Sequence, residues 1–127
     1  MPRILLIEND VITREIHNAL LVRAGHDVSL ANETRTGWEK LQQSPPDAAL
    51  LDLVLPDTQG FELLRKIRAH PVLKDLPVIV YTSMFVPGVV EEAKEAGASR
   101  TFDKAYLSAS MLLDALNECL VPGHQPA

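Results

Sequence analysis

The sequence predicts a doubly wound α/β domain, a five-stranded parallel sheet with helices on both faces. Three observations carry this reading. Five short apolar stretches alternate with five segments of helical periodicity along the whole chain, the pattern of consecutive βαβ units. The first of these stretches is apolar on both faces, as expected of a buried parallel strand. Crossovers between parallel strands are right-handed almost without exception, which winds helices onto both sides.

The first strand is Ile4-Leu5-Leu6-Ile7. Asp10 can cap the helix that follows, running to about Ala24. Ile12, Ile16, Ala19, Leu20 and the stem of Arg23 recur at the spacing of an inward face. Gly25 ends that helix. The second strand covers residues 27–30, and Asn32 is the expected cap of a second helix through Gln43, with Trp38 and Leu41 facing inward. Ser44-Pro45-Pro46 breaks the chain.

The third strand is Ala48-Ala49-Leu50-Leu51, ending at Asp52. A loop over 53–60 leads to a helix carrying Phe61, Leu64 and Ile67, closed by His70-Pro71. The fourth strand spans 77–81 and reaches Thr82 and Ser83. Pro87 suits the first turn of a helix stopped by Gly97. The fifth strand spans 100–103, and a last helix covers about 108–120. The expected organisation is one domain over 1–121 followed by a flexible tail or linker stub over 122–127.

Composition narrows the function classes. The chain has 127 residues with 46% hydrophobic content, enough for one buried core. Its net charge of −5 and its scattered Lys and Arg argue against direct nucleic-acid binding. No apolar run reaches membrane-spanning length and the N-terminus does not read as a signal peptide, so a cytoplasmic location without membrane attachment is expected. Cys119, the one cysteine, reads as a small buried hydrophobe. His17, His26, His70 and His124 lack metal-ligand spacing and are expected on the surface or at element ends.

Ligands of such sheets bind beyond the carboxyl ends of the strands. There the chain carries Glu8, Asn9 and Asp10 after the first strand, Asp52 after the third, Thr82 and Ser83 after the fourth and Lys104 after the fifth. Clustered carboxylates repel one another or recruit a cation, and hard oxygen ligands suit Mg²⁺. A carboxylate such as Asp52 can attack phosphorus to give an aspartyl-phosphate. Lys104, the Thr82 hydroxyl and the cation could each bind one phosphoryl oxygen.

With these residues in place, the segments RILLIEND, ALLDLVLPDTQGFELL, LPVIVYTS and GASRTFDK resemble the receiver domains of bacterial response regulators, such as the chemotaxis regulator, from Arg3 to about Leu120. The resemblance implies the flavodoxin-like fold with strand order 2-1-3-4-5. It implies Asp52 as phospho-acceptor, with a histidine kinase or histidine phosphotransfer protein as donor. Mg²⁺ would be held by Asp52, by Glu8 through water, by Asn9 and by the Val54 carbonyl. Thr82 would be the switch hydroxyl and Lys104 the partner of the phosphate. Phosphorylation would then bias the Met84-Phe85-Val86 loop and the face of the fourth helix, fifth strand and fifth helix, where a downstream protein is expected to bind.

Three departures from the family pattern stand out. Asn9 replaces the usual directly ligating Asp, which should weaken Mg²⁺ binding. A unit charge at about 4 Å is worth roughly 4 kcal/mol gross at an effective dielectric near 20, much of it offset by hydration. Ala105 replaces a Pro that follows the Lys in a cis peptide, so a trans bond and a shifted loop are expected. Thr101 replaces the aromatic that usually moves with the switch hydroxyl. These departures make a degenerate receiver, an interaction module that is never phosphorylated, the alternative reading. An independent enzyme is disfavoured. The second Asp usual two residues beyond the nucleophile of aspartyl phosphatases is Val54 here, and no glycine-rich phosphate loop follows the first strand.

Overall fold

The computed structural model describes residues 1–57 and 60–121. The expected tail over 122–127, with His124, lies outside the described residues, as do Thr58 and Gln59 of the loop after the third strand.

The elements run β1 (Arg3–Ile7), α1 (Val11–Arg23), β2 (Asp27–Ala31), α2 (Thr34–Gln43), β3 (Ala48–Asp52), α3 (Gly60–Ala69), β4 (Val78–Thr82), α4 (Pro87–Ala96), β5 (Arg100–Asp103) and α5 (Ala109–Cys119). The strands form one parallel sheet in the order β2-β1-β3-β4-β5, the order that the family resemblance implies. Alternate side chains of each strand enter opposite layers. Leu5, Ile7, Leu51, Val78 and Val80 pack with Leu41, Leu64, Ile67 and Ala93 from α2, α3 and α4. Ile4, Leu6, Leu50, Ile79 and Tyr81 pack with Leu21, Leu112 and Leu116 from α1 and α5. β3 and β4 are buried at every position, which is why they read as unbroken apolar runs.

Most helix ends follow the expected chemistry. The Asp10 side chain accepts from the Thr13 N–H, Ser108 accepts from the Met111 N–H, and Pro87 opens α4. Gly97 closes α4 at φ 105°, a left-handed conformation that suits glycine. Arg68 fastens this corner by donating to the carbonyls of Gly97, Lys74 and Leu76.

Three expectations are corrected. Asn32 does not cap α2. The position before its first helical residue is Glu33, whose side chain makes no capping bond. Asp57 does the capping instead, from the loop after β3. Its carboxylate accepts from the Thr34 N–H at 3.0 Å, the Thr34 hydroxyl at 2.8 Å and the Arg35 N–H at 3.0 Å. Burial pushes the Asp57 carboxyl up, but these bonds together outweigh it and hold the group below its ordinary value.

The inward face of α1 also differs. Ile12 and Ile16 are 71% and 61% exposed, and Ala19 and Arg23 face solvent as well. Leu21 is the fully buried residue, and His17 packs edge-on against Tyr81 with ring centroids 5.4 Å apart. Apolar residues occur on more than one side of this helix, so spacing does not single out a face, and exposing some of them is ordinary for a folded surface. His17 is therefore neither superficial nor at an element end. His26 stands at an element end, just before β2, but is buried. Cys119 is buried as expected.

Candidate functional site

Parallel pairing brings the carboxyl ends of the strands to one edge. Ile7, the last residue of β1, is in register with Leu51, one residue before Asp52, so Glu8 follows β1 beside the end of β3. Asp52 is in register with Tyr81, which precedes Thr82, and Thr82 is in register with Asp103, which precedes Lys104. Residues far apart in the chain thus converge because their strands end together.

Lys104 joins the cluster. Its Nζ lies 3.1 Å from Asp52 Oδ2 and 3.3 Å from Glu8 Oε1. Both carboxylates are removed from solvent, Glu8 at 1% and Asp52 at 4% exposure. Burial pushes the Asp52 carboxyl up to about 6. The Val54 N–H bonded to Oδ1 opposes this, the Glu8 charge adds to it, and the Lys104 charge opposes it. Burial alone would lower the Lys104 ammonium, but Asp52 and Glu8 outweigh it and raise its pKa. Two buried carboxylates face one ammonium, which leaves negative charge that a cation would relieve.

The remaining predicted residues occupy the same edge. Thr82 is fully buried, and its hydroxyl accepts the Met84 N–H at 3.0 Å. Asn9 is exposed directly after Glu8. Val54 is half exposed, two residues past Asp52. Asp10, which could have supplied another carboxylate, caps α1 instead. Its side chain accepts from the Thr13 hydroxyl and backbone, and these bonds lower its pKa. Among the described residues no three His, Cys, Asp or Glu side chains group as a metal cage. The Asp52 and Glu8 carboxylates, the Asn9 amide and the Val54 carbonyl are the oxygen groups that could hold a cation here. That small, hard set fits Mg²⁺, which keeps several waters and takes few protein ligands.

The backbone around Asp52 leaves little room. A Cβ on Gly60, at the start of α3, would lie 3.0 Å from both the Asp52 carbonyl oxygen and the Leu53 Cα. On the far side of the edge, the peptide between Lys104 and Ala105 is trans, as expected for a residue other than proline. Thr101 is half-buried in β5, while the aromatic beside it, Phe102, is buried beneath the Arg100 guanidinium.

One residue of the site escapes sequence reasoning. Tyr81 is 0% exposed, and its hydroxyl donates to Glu8 Oε1 at 2.8 Å. In the sequence it reads as one more strand residue. The available signal is a phenol directly before Thr82, at a position where the strand points into an otherwise apolar layer and a buried hydroxyl needs an acceptor.

Comparison with known proteins identifies the fold. Residues 4–117 match the family model of the response regulator receiver domain. The gliding motility regulatory protein of Myxococcus xanthus is 30% identical over 115 residues, which is 91% of this chain and 15% of that protein. A CheY-like response regulator receiver domain protein from Methanospirillum hungatei superposes with a TM-score of 0.87 at 28% identity, covering 94% of each chain. The chemotaxis response regulator CheY4 of Vibrio cholerae superposes with a TM-score of 0.87 at 26% identity, covering 94% of this chain and 99% of that one. The chain spans only a small part of the length of the curated relative it matches. A five-stranded sheet in the order 2-1-3-4-5, with its acidic and cationic strand ends gathered at one edge, belongs in this chain to the response regulator receiver domain family of two-component signalling.

Proposed function

We propose that Asp52 accepts a phosphoryl group from the phosphohistidine of a histidine kinase or histidine phosphotransfer protein, in a Mg²⁺-dependent reaction. The observation that carries this reading is Lys104 Nζ, held between Asp52 Oδ2 at 3.1 Å and Glu8 Oε1 at 3.3 Å. An ionised Asp52 oxygen attacks phosphorus, the P–N bond to the donor imidazole breaks, and the imidazole takes up a proton as it leaves. Asp52, Asn9, the Val54 carbonyl and, through water, Glu8 would hold Mg²⁺, which would supply charge neutralisation to the phosphoryl oxygens. Lys104 gives up part of its contact with Asp52 to pair with the new phosphate. The Thr82 hydroxyl, which now accepts the Met84 N–H, donates to a phosphate oxygen.

Moving Thr82 draws on the segment that follows it. Met84, Phe85 and Val86 are exposed and lead straight into α4. The face of α4, β5 and α5 is the proposed binding surface for a downstream protein, biased by phosphorylation. The domain catalyses only its own phosphorylation and dephosphorylation. Among the described residues no helix is long and apolar enough to cross a membrane.

The test is mass spectrometry after treatment with acetyl phosphate and Mg²⁺. A phosphoryl adduct is expected on the wild-type protein, with none on Asp52→Asn or when the metal is chelated. An unmodified wild-type protein, or an adduct that persists in Asp52→Asn, sinks phosphotransfer at Asp52, and only the first of these outcomes leaves an unphosphorylated interaction module.

A further inference from the structure

We infer that Tyr81 is a positioning residue for the metal site, setting which oxygen of Glu8 remains available there. This rests on the phospho-acceptor reading and extends it to a residue outside the acidic cluster.

An ionised carboxylate such as Glu8 offers about four lone-pair sites, two on each oxygen. Oε1 receives the Tyr81 hydroxyl at 2.8 Å and the Lys104 ammonium at 3.3 Å. Oε2 receives the Asp10 N–H at 2.9 Å. The open capacity therefore lies on Oε2. Glu8 is 1% exposed, so bulk water does not satisfy it. A glutamate has one more torsion to restrain than an aspartate, and two donors restrain it here, Tyr81 in β4 and Lys104 just after β5.

Tyr81 is suited to this because it is itself held. Its ring lies in the apolar layer between the sheet and helices α1 and α5, with the edge of His17 against it at 5.4 Å and an interplanar angle of 87°. The Lys104 ammonium lies 5.9 Å from the ring centroid, so the phenol also borders the cation that bridges the two carboxylates. Its neighbour in the sheet is Asp52 itself. A Tyr81 without its hydroxyl would keep the ring packing and lose only the bond to Glu8. Partners that orient a metal-binding group in this way are typically worth about ten- to a hundredfold in metal affinity.

The experiment is Mg²⁺ titration by calorimetry on the wild-type protein, Tyr81→Phe, Glu8→Gln and the double variant. Tyr81→Phe is expected to weaken Mg²⁺ binding about tenfold. In the Glu8→Gln background the same substitution should change affinity by no more than about twofold, because both act through one contact. A second measurement uses Tyr106→Phe, which leaves Tyr81 as the one tyrosine of the chain. Its near-ultraviolet difference band should shift on adding Mg²⁺. If Tyr81→Phe lowers thermal stability but binds Mg²⁺ as the wild type does, the role is only structural and the inference falls. An equal loss in the Glu8→Gln background, or a tyrosine band that ignores Mg²⁺, overturns it too. A wild-type protein that binds no Mg²⁺ and forms no Asp52 adduct brings down the phospho-acceptor reading as well, whereas normal wild-type behaviour with an unchanged Tyr81→Phe defeats only the inference.

Discussion

The Asp57 carboxylate receives the backbone N–H of Thr34 at 3.0 Å and the Thr34 hydroxyl at 2.8 Å, across a sequence separation of 23. The loop that follows the Asp52 strand thereby caps a helix formed by a distant part of the chain. Loss of a side-chain cap costs about 1 kcal/mol. Asp57→Ala is expected to lower stability by about that amount at neutral pH, measured by urea denaturation. The Asp57 pKa is lowered, so its contribution is present above the ordinary value of 3.8 and fades as pH falls through the depressed value. The gap between wild type and variant should therefore close in strong acid. A gap that is independent of pH would show that the ionised cap is not its source.

Asp52 has the opposite sign. Its carboxyl is raised from 3.8 to about 6, so the native state holds the proton more tightly than the unfolded chain. The associated stability is present below 3.8 and lost as pH rises through about 6. In metal-free buffer, Asp52→Asn should match wild type near the lower end of that window and become more stable than wild type above it. The difference should reach the order of 2–3 kcal/mol before solvent screening. Denaturation curves at a series of pH values with a chelator present check this, and parallel curves across the window would refute it.

Asn9→Asp adds a carboxylate at the exposed position after Glu8. Mg²⁺ affinity should rise by about tenfold or more, since even a fraction of the roughly 4 kcal/mol gross Coulomb energy suffices. Without metal the same change adds repulsion to Glu8 and Asp52, so the melting temperature should fall. Calorimetric titration and melting curves with and without Mg²⁺ read the two signs separately. Unchanged affinity would mean that this position does not face the cation.

Gly60→Ala tests how tightly the acceptor strand is seated. The added Cβ meets backbone atoms of Asp52 and Leu53 at 3.0 Å, and neither is a flexible side-chain end. A loss of about 1–3 kcal/mol is expected, with slower adduct formation at Asp52. Gly88→Ala is the control, because a Cβ there meets nothing within 4 Å. Comparable behaviour of the two variants in denaturation and in the time course of acetyl phosphate labelling would rule out the crowding.

The chemistry of the strand ends is legible in the amino-acid order. Unbroken apolar runs mark strands covered on both faces, and in a parallel sheet all their carboxyl ends point one way. That alone brings Glu8, Asp52, Thr82 and Lys104 together, as the register of β1, β3, β4 and β5 shows. Local end signals are equally readable at Asp10, Pro87 and Gly97, because a cap or a left-handed turn depends on its own few residues.

Other features depend on contacts between layers. Ile12 and Ile16 read as core because spacing reports a repeat and not which side of a helix meets the sheet. Leu21 and His17 set that rotation by packing against another layer. The true cap of α2 comes from Asp57 and the hydroxyl on Glu8 from Tyr81, bonds between residues 23 and 73 positions apart. The order of the elements and the edge at which charge collects follow from local periodicity and strand direction, and both can be read along the chain. Which donor reaches which acceptor within that edge is settled only in the folded chain, where distance in space replaces distance along the backbone.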